Sequence, residues 1–321
     1  MNGLIGHDDA WRQFSSALAG GKLHHGWILA GPRGLGKAGF ALRAAAALVD
    51  PECQYGSMIA RGSHPDIIII KRLPKEPPKE DEEVDADAEL KRSIGIDQIR
   101  ALQASLTTRP GLAEKRAVII DAADDLERNG ANALLKSLEE PPAGTHFLLV
   151  SHASDRLLPT IRSRCQILRF EPLGDDAMAN ALRQNAPDAT SGDIAALVRA
   201  GNGAPGQALD FLGLDLGSLE AAMTSIMQSG DKTNEIRSGL ADQLALKAAQ
   251  ARYEAFLRRA PALIAENARQ MNAGEALPAT DAWQAASALA ARAVSLSLDK
   301  QSVVFQMGSL LASLQPHKQT Q

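Results

Sequence analysis

The stretch Gly31-Pro32-Arg33-Gly34-Leu35-Gly36-Lys37-Ala38 carries the clearest chemistry in the chain. It reads G-x-x-x-x-G-K, the spacing of a phosphate-binding loop. In such a loop, glycines let backbone N–H groups converge on a phosphate and the lysine reaches the β- and γ-phosphates. The pattern normally continues with Ser or Thr, whose hydroxyl binds Mg²⁺; here Ala38 has none. A second element is Ala117-Val118-Ile119-Ile120-Asp121, an apolar run ending in a carboxylate, as in the second nucleotide motif where Asp holds Mg²⁺. The residue after that Asp is often the Glu that activates water, but Ala122 follows Asp121. Asp124 and Asp125 read as N-terminal carboxylates of a helix starting there.

These residues need a strand–loop–helix frame, and the flanking sequence supplies one. Trp27-Ile28-Leu29-Ala30 is a short apolar strand before the glycines, and Ala41 to Leu48 is a strong helix former after them. Further strands are expected at Ile67–Ile70, read as a buried parallel strand, at His146–Ser151 and at Gln166–Phe170. Helices are expected from Asp8 or Asp9 through Leu18, with Trp11, Phe14 and Leu18 on one face, from Asp97 to about Leu106, and over Asn132–Pro142, stopped by its prolines. Strands alternating with helices imply a parallel sheet covered on both faces. Residues 49–65 read as loop. Residues 71–92 are rich in Pro, Lys, Glu and Asp and read as a flexible surface insertion. His24 and His25 are expected to point different ways on extended backbone, as loop or packing residues rather than a metal pair.

After Leu173 the strand signals stop. Residues 173–214 read as a small helical unit with a turn at Gly201–Gly206. Residues 217–314 are helical nearly throughout, with apolar residues at helical spacing in Ala241–Ala260, Ala282–Leu298 and Val303–Leu314. The 321 residues suffice for two or three domains. A net charge of −4 does not attract nucleic acid in bulk, so DNA contact would need a local basic patch or partners. Two cysteines, Cys53 and Cys165, outside any C-x-x-C, argue against a disulfide framework or a cysteine zinc site. No apolar run is long enough to span a membrane and no signal peptide is recognisable, so a cytoplasmic protein is expected.

Five stretches together resemble the AAA+ clamp-loader subunits of DNA replication: Gly31–Lys37, Gly62-Ser63-His64-Pro65-Asp66, Ala117–Asp121, Asn132–Pro142 and Leu158–Cys165. The Asn-Ala-Leu-Leu-Lys-x-Leu-Glu-Glu-Pro-Pro and Ile-Arg-Ser-Arg-Cys runs are the most specific. The resemblance implies a RecA-like α/β P-loop domain over 1–171, a helical lid over 172–215 and a C-terminal helical collar over 216–321 used for oligomer contacts. It implies a nucleotide site at Gly31, Gly34, Gly36, Lys37 and Asp121, degenerate here and binding ATP or ADP weakly without hydrolysis. Ala38 and Ala122 replace the metal hydroxyl and the catalytic acid. Gly206 falls where active loaders carry an Arg that senses γ-phosphate. A missing water-activating carboxylate alone costs about 10²–10⁴ in rate.

By the same resemblance, Arg164 would act in trans as an arginine finger on a neighbour's ATP, worth about 10³–10⁵ in rate, whereas Arg162 would pair with a surface carboxylate. The implied partners are clamp-loader ATPase subunits (tau/gamma) and a delta subunit in a hetero-oligomeric ring, with the sliding clamp and primed DNA reached through that complex. Many relatives hold a four-cysteine zinc module before the Gly-Ser-His-Pro-Asp run. Only Cys53 stands here, so no zinc is expected. Cys165 is expected to be buried rather than reactive. Two other readings stay open: an active tau/gamma-like ATPase, which would carry Ser or Thr at 38 and an acid at 122, and a small-molecule P-loop kinase, which would not carry a long helical C-terminus.

Overall fold

A computed structural model describes residues 5–76, 89–271 and 273–315, without the side chains of 273–275, 294 and 295. The acidic centre of the expected insertion, residues 77–88, lies outside the described residues. The chain divides into two compact units: residues 1–181 with 202–206, and 182–201 with 207–321.

The first unit is an α/β layer structure. Its elements are α1 (Asp8–Ala19), β1 (Gly26–Ala30), α2 (Lys37–Val49), α3 (Gly56–Ala60), β2 (Ile67–Lys71), α4 (Ile96–Ser105), β3 (Arg116–Asp121), α5 (Arg128–Glu139), β4 (Thr145–Ser151), α6 (Pro159–Arg162), β5 (Gln166–Arg169) and α7 (Asp175–Asn185), the last running into the second unit. The strands form one five-stranded sheet in the order β2-β3-β4-β1-β5, every pair parallel. This is the RecA-like α/β architecture. Successive strand residues face opposite sides. Trp27 and Leu29 of β1 therefore join Phe14, Phe40, Ile119 and Val150 in one core layer, while Ile28 and Ala30 join Val118, Phe147, Leu134 and Ile99 in the other. Burial on both faces explains why the central strands read as unbroken apolar runs.

Several expectations change. Ile67–Ile70 is a parallel strand, but it lies at the sheet edge, and Ile69 is 42% exposed. Residues 49–65 contain the short helix α3, which buries Ile59. The ends of the 71–92 stretch are ordered by pairing: Lys75 N–H donates to Glu89 O and Lys91 N–H to Leu73 O, each at 2.7 Å, and Lys75 and Glu89 form an ion pair. His24 and His25 do not diverge. Their rings stack at 4.2 Å between centroids, with His25 Nε2 2.9 Å from Leu138 O.

The second unit is helical: α8 (Ser191–Gly201), α9 (Pro205–Leu209, entered from the first unit), α10 (Leu216–Ser229), α11 (Glu235–Ala245), α12 (Gln250–Ala268), α13 (Ala273–Ser295) and α14 (Lys300–Ala312). The Ala241–Ala260 window is not one helix. Leu246 turns extended and exposed, and a 3₁₀ turn over Lys247–Ala249 separates α11 from α12. Within this unit the buried Arg259 bonds Glu220 Oε1 at 2.5 Å and Glu266 through both carboxylate oxygens at 2.7 and 2.8 Å. A buried guanidinium demands such partners.

Candidate functional site

The carboxyl ends of β1, β3 and β4 bring the sequence-predicted nucleotide residues to one edge of the sheet, where open α/β sheets bind ligands. The loop Gly31–Gly36 joins β1 to α2. Gly34 and Gly36 take left-handed φ values of +85° and +77°, which side chains with a Cβ resist. Gly31 is required for a different reason: a Cβ there would lie 2.2 Å from Phe170 O. The loop is held by contacts from distant sequence. His7 Nε2 lies 2.8 Å from Leu35 O, and Gly206 N–H donates to Gly34 O at 2.8 Å.

Lys37 opens α2 and is 3% exposed. Its ammonium donates to the loop's own carbonyls, Gly31 O at 2.6 Å and Pro32 O at 2.5 Å. Burial pushes its pKa down to about 8, against the opposing pull of Asp121 and Asp124. Asp121 thus faces the lysine from the end of β3, while Ala122, buried behind it, offers no oxygen. A Cβ at Gly206 would stand 3.0 Å from Gly34 Cα, so the position aligned with a phosphate-sensing arginine presents backbone to the loop.

Sequence reasoning missed Asp124. Ala123–Asp125 is a 3₁₀ turn rather than a helix start. The Asp124 carboxylate spans to the end of β4, accepting from Ser151 Oγ at 2.8 Å, His152 N–H at 2.5 Å and Ala153 N–H at 3.2 Å. Asp125 instead pairs with Arg72 at 3.1 Å. His152 joins the same group: burial, then Lys37, lowers its pKa, and Asp124 and Asp121 act the other way. The local signal, two Asp after a strand, fits either role; only the sheet order puts β4 beside β3.

The Gly-Ser-His-Pro-Asp run proves architectural. Asp66, fully buried, accepts N–H bonds from Gly111 at 2.7 Å, Leu112 at 2.8 Å and Ala113 at 2.9 Å, with Arg116 Nη2 3.8 Å away. Arg116 in turn caps the carbonyls of Ser105, Thr108 and Arg109. His64 Nδ1 accepts from Asp66 N–H and its ring packs edge-on to Tyr55. The motif fixes the loop that feeds β3 and so sets the height of Asp121.

Arg164 lies between α6 and β5, apart from the phosphate loop in sequence and in the sheet. Its Nη2 is 2.6 Å from Glu139 Oε1, and its Nη1 donates to Thr160 O at 2.9 Å. The side chain is partly exposed. Arg162 pairs more loosely with Asp155, at 3.8 Å. Cys165 is half-buried, and burial pushes its thiol up to about 12, far from reactive. Cys53 is exposed and unpaired. Among the described residues, no three His, Cys, Asp or Glu side chains group as metal ligands, and no helix is long and apolar enough to cross a membrane.

Comparison with known proteins agrees with this geometry. A family model described as "DNA polymerase III, delta subunit" matches residues 6–174. The delta' subunit of DNA polymerase III from Pseudomonas aeruginosa is 34% identical over 207 residues, covering 61% of this chain and 58% of that protein. The delta' subunit of Bacillus subtilis is 33% identical over 169 residues, covering 50% and 46%. The gamma subunit of Buchnera aphidicola from Acyrthosiphon pisum is 31% identical over 180 residues, covering 56% and 47%. The chain thus spans about half the length of these relatives. With a matching model over more than half its length and relatives of this kind, the chain belongs to the AAA+ family of DNA polymerase III clamp-loader subunits.

Proposed function

We propose that this chain is a non-hydrolysing, delta-prime-type clamp-loader subunit that assembles with ATPase subunits and supplies Arg164 to a neighbour's ATP. The observation that carries the reading is an asymmetry between its two sites. The phosphate loop keeps its fold and its lysine, yet Ala38 has no side-chain oxygen for Mg²⁺ and Ala122 none for water. Arg164, in contrast, stands at the surface with a planar, permanently charged group.

In this reading the partners are tau/gamma ATPase subunits and a delta subunit in a ring, which reaches the sliding clamp and primed DNA. Residues 172–215 serve as a lid and 216–321 as the collar that joins the ring. Gly31, Gly34, Gly36, Lys37 and Asp121 retain weak affinity for ATP or ADP. No zinc is bound, and the protein works in the cytoplasm.

What the chain itself does follows from its groups. It excludes efficient hydrolysis at its own loop, because neither the metal ligand nor the base is present. At the neighbour's site the Arg164 guanidinium stabilises charge on the transferring phosphoryl oxygens; no proton moves to or from it, since it stays protonated.

The test uses the reconstituted loader. Arg164→Ala should leave assembly intact but lower DNA-stimulated ATPase and clamp loading, Arg164→Lys should rescue poorly, and Arg162→Ala should matter less. Equal activity of wild-type and Arg164→Ala complexes at matched assembly refutes the finger role. Relatives of the gamma type also align with this chain, so the active-ATPase reading is tested directly: several turnovers per second by the purified chain, abolished by Lys37→Ala, would establish it instead.

A further inference from the structure

Arg164 does not project alone. Its backbone is seated against the start of β1 at a glycine. A Cβ on Gly26 would stand 2.9 Å from Cys165 Sγ and 3.3 Å from Arg164 O. Its guanidinium is held at three points, by Glu139 Oε1 at 2.6 Å, Thr160 O at 2.9 Å and Ser163 Oγ at 3.3 Å. Of these, only Glu139 comes from another element.

Glu139 is the last residue of α5. A carboxylate there faces the negative end of the helix dipole, an unfavourable position on helix grounds alone. The end of α5 is nonetheless fixed. His25 lies 2.9 Å from Leu138 O, Leu138 is fully buried, and Pro141-Pro142 prevents the helix from continuing. A carboxylate on a rigid helix end, against a guanidinium with side-chain exposures of 47% and 34%, pairs the two where a docking subunit can reach them.

Resting on the reading of Arg164 as a finger, we propose that Glu139 is its positioning residue, holding the guanidinium in the orientation in which it meets a neighbour's phosphate. Glu139 meets Nη2 as a close ion pair, and Nη1 donates to Thr160 O and Ser163 Oγ. Among the described residues neither Nε–H nor the Nη2 hydrogens donate a hydrogen bond. A guanidinium presents five donors in a fixed plane, so pinning one edge sets the direction of the others. Ordering the arginine before docking removes rotamer freedom that would otherwise be lost at the transition state. A phosphate can be met while Glu139 stays paired, because the Nε and Nη2 hydrogens are unspent.

The test is single-turnover ATP hydrolysis by the reconstituted loader in which only the neighbouring ATPase keeps its phosphate-loop lysine. Glu139→Ala should lower the rate about 10–100-fold, the scale of a side chain misplaced by about 1 Å, with the KM for ATP unchanged. Glu139→Gln, which keeps a hydrogen-bond acceptor without the charge, should fall between. In an Arg164→Ala background, Glu139→Ala should cost nothing more, a result a general folding role would not give; unchanged thermal unfolding of each variant separates the two further. A wild-type rate for Glu139→Ala beside a slow Arg164→Ala overturns the positioning role and leaves the finger. A faster Glu139→Ala also overturns it, because the pair would then restrain the arginine. A wild-type rate for Arg164→Ala removes the finger itself and the inference with it.

Discussion

Removing the Asp66 carboxylate should unfold the α/β unit far more easily, because it frees the loop that feeds β3. Three amides, from Gly111, Leu112 and Ala113, point at this one buried group. A fully buried donor left without an acceptor costs about 1–3 kcal/mol; Gly111 and Leu112 are exposed and Ala113 half-buried, so about 9 kcal/mol is a ceiling for Asp66→Ala. Water entering the space left by the carboxylate satisfies part of that demand, and losing the charge partner of a buried arginine costs about 3–5 kcal/mol, which we take as the expected loss. At a urea slope of about 2 kcal/mol/M the midpoint falls by about 1.5–2.5 M. Asp66→Asn keeps one carbonyl acceptor and should lose about half as much. The assay is urea unfolding followed by Trp11 and Trp27 fluorescence in a Trp283→Phe background, so that the α/β unit alone is read. The pH dependence supplies a second arm. Burial by itself raises the Asp66 pKa, but the three amides and then Arg116 outweigh it, and the group lies below its ordinary value. Its contribution is therefore complete above the unfolded value of about 3.9 and is lost as pH falls below that toward the folded pKa. Asp66→Asn should flatten the acid limb in that window. A midpoint for Asp66→Ala within about 0.5 M of wild type, or an acid limb unchanged in Asp66→Asn, would refute the account of the motif as a loop anchor.

Lys37 predicts a trend of the same sign in a far more alkaline window. Its folded pKa, about 8, lies below the ordinary lysine value of about 10.4, so the unfolded chain binds more protons in between and stability should rise with pH across that window, as denaturation at pH 7 to 10 would show. Lys37→Met should abolish the rise. Gly206→Arg should not create a phosphate sensor; a Cβ 3.0 Å from Gly34 Cα forces the turn off the loop, and the expected result is a lower melting temperature with no gain in nucleotide affinity by titration calorimetry. In the helical unit, Arg259→Ala leaves Glu220 and Glu266 without their shared partner and should cost about 3–5 kcal/mol, read by Trp283 fluorescence.

The strands and the phosphate loop were legible because their signals are local. Trp27–Ala30, Gly31–Lys37 and the helix after them follow one another within one supersecondary unit, and the glycine positions have one conformational use. The same holds for α5, whose end Pro141-Pro142 marks. Edge position was not legible at Ile67–Ile70, since four isoleucines read alike at the edge or the centre and only strand order distinguishes them. Helix α3 escaped because five residues carry too little periodicity. The site was half visible. Gly31, Gly34, Gly36, Lys37 and Asp121 were named from spacing, but the bonds that hold them are non-local: His7 to Leu35, Gly206 to Gly34, Asp124 to Ser151 and His152. A carboxylate's partner across a sheet depends on topology, which composition and short spacing do not encode. The pairing of Arg164 with Glu139 was hidden for the same reason, since opposite charges far apart in sequence have no pattern to betray them.

The short ladder joining residues 73–75 to 89–91 has a practical consequence. It makes residues 75 and 89 neighbours, so the chain leaves and rejoins the unit at one place, a stem. The closure cost of chain carried between fixed ends grows with the logarithm of its length, about 0.6 kcal/mol per doubling. The stem is thus an outlet where sequence can be gained or lost with little cost to the layers beneath. It follows directly on the edge strand β2. An epitope or a fluorophore spliced between the two halves of that stem is therefore expected to leave the melting temperature of the unit within a few degrees of wild type.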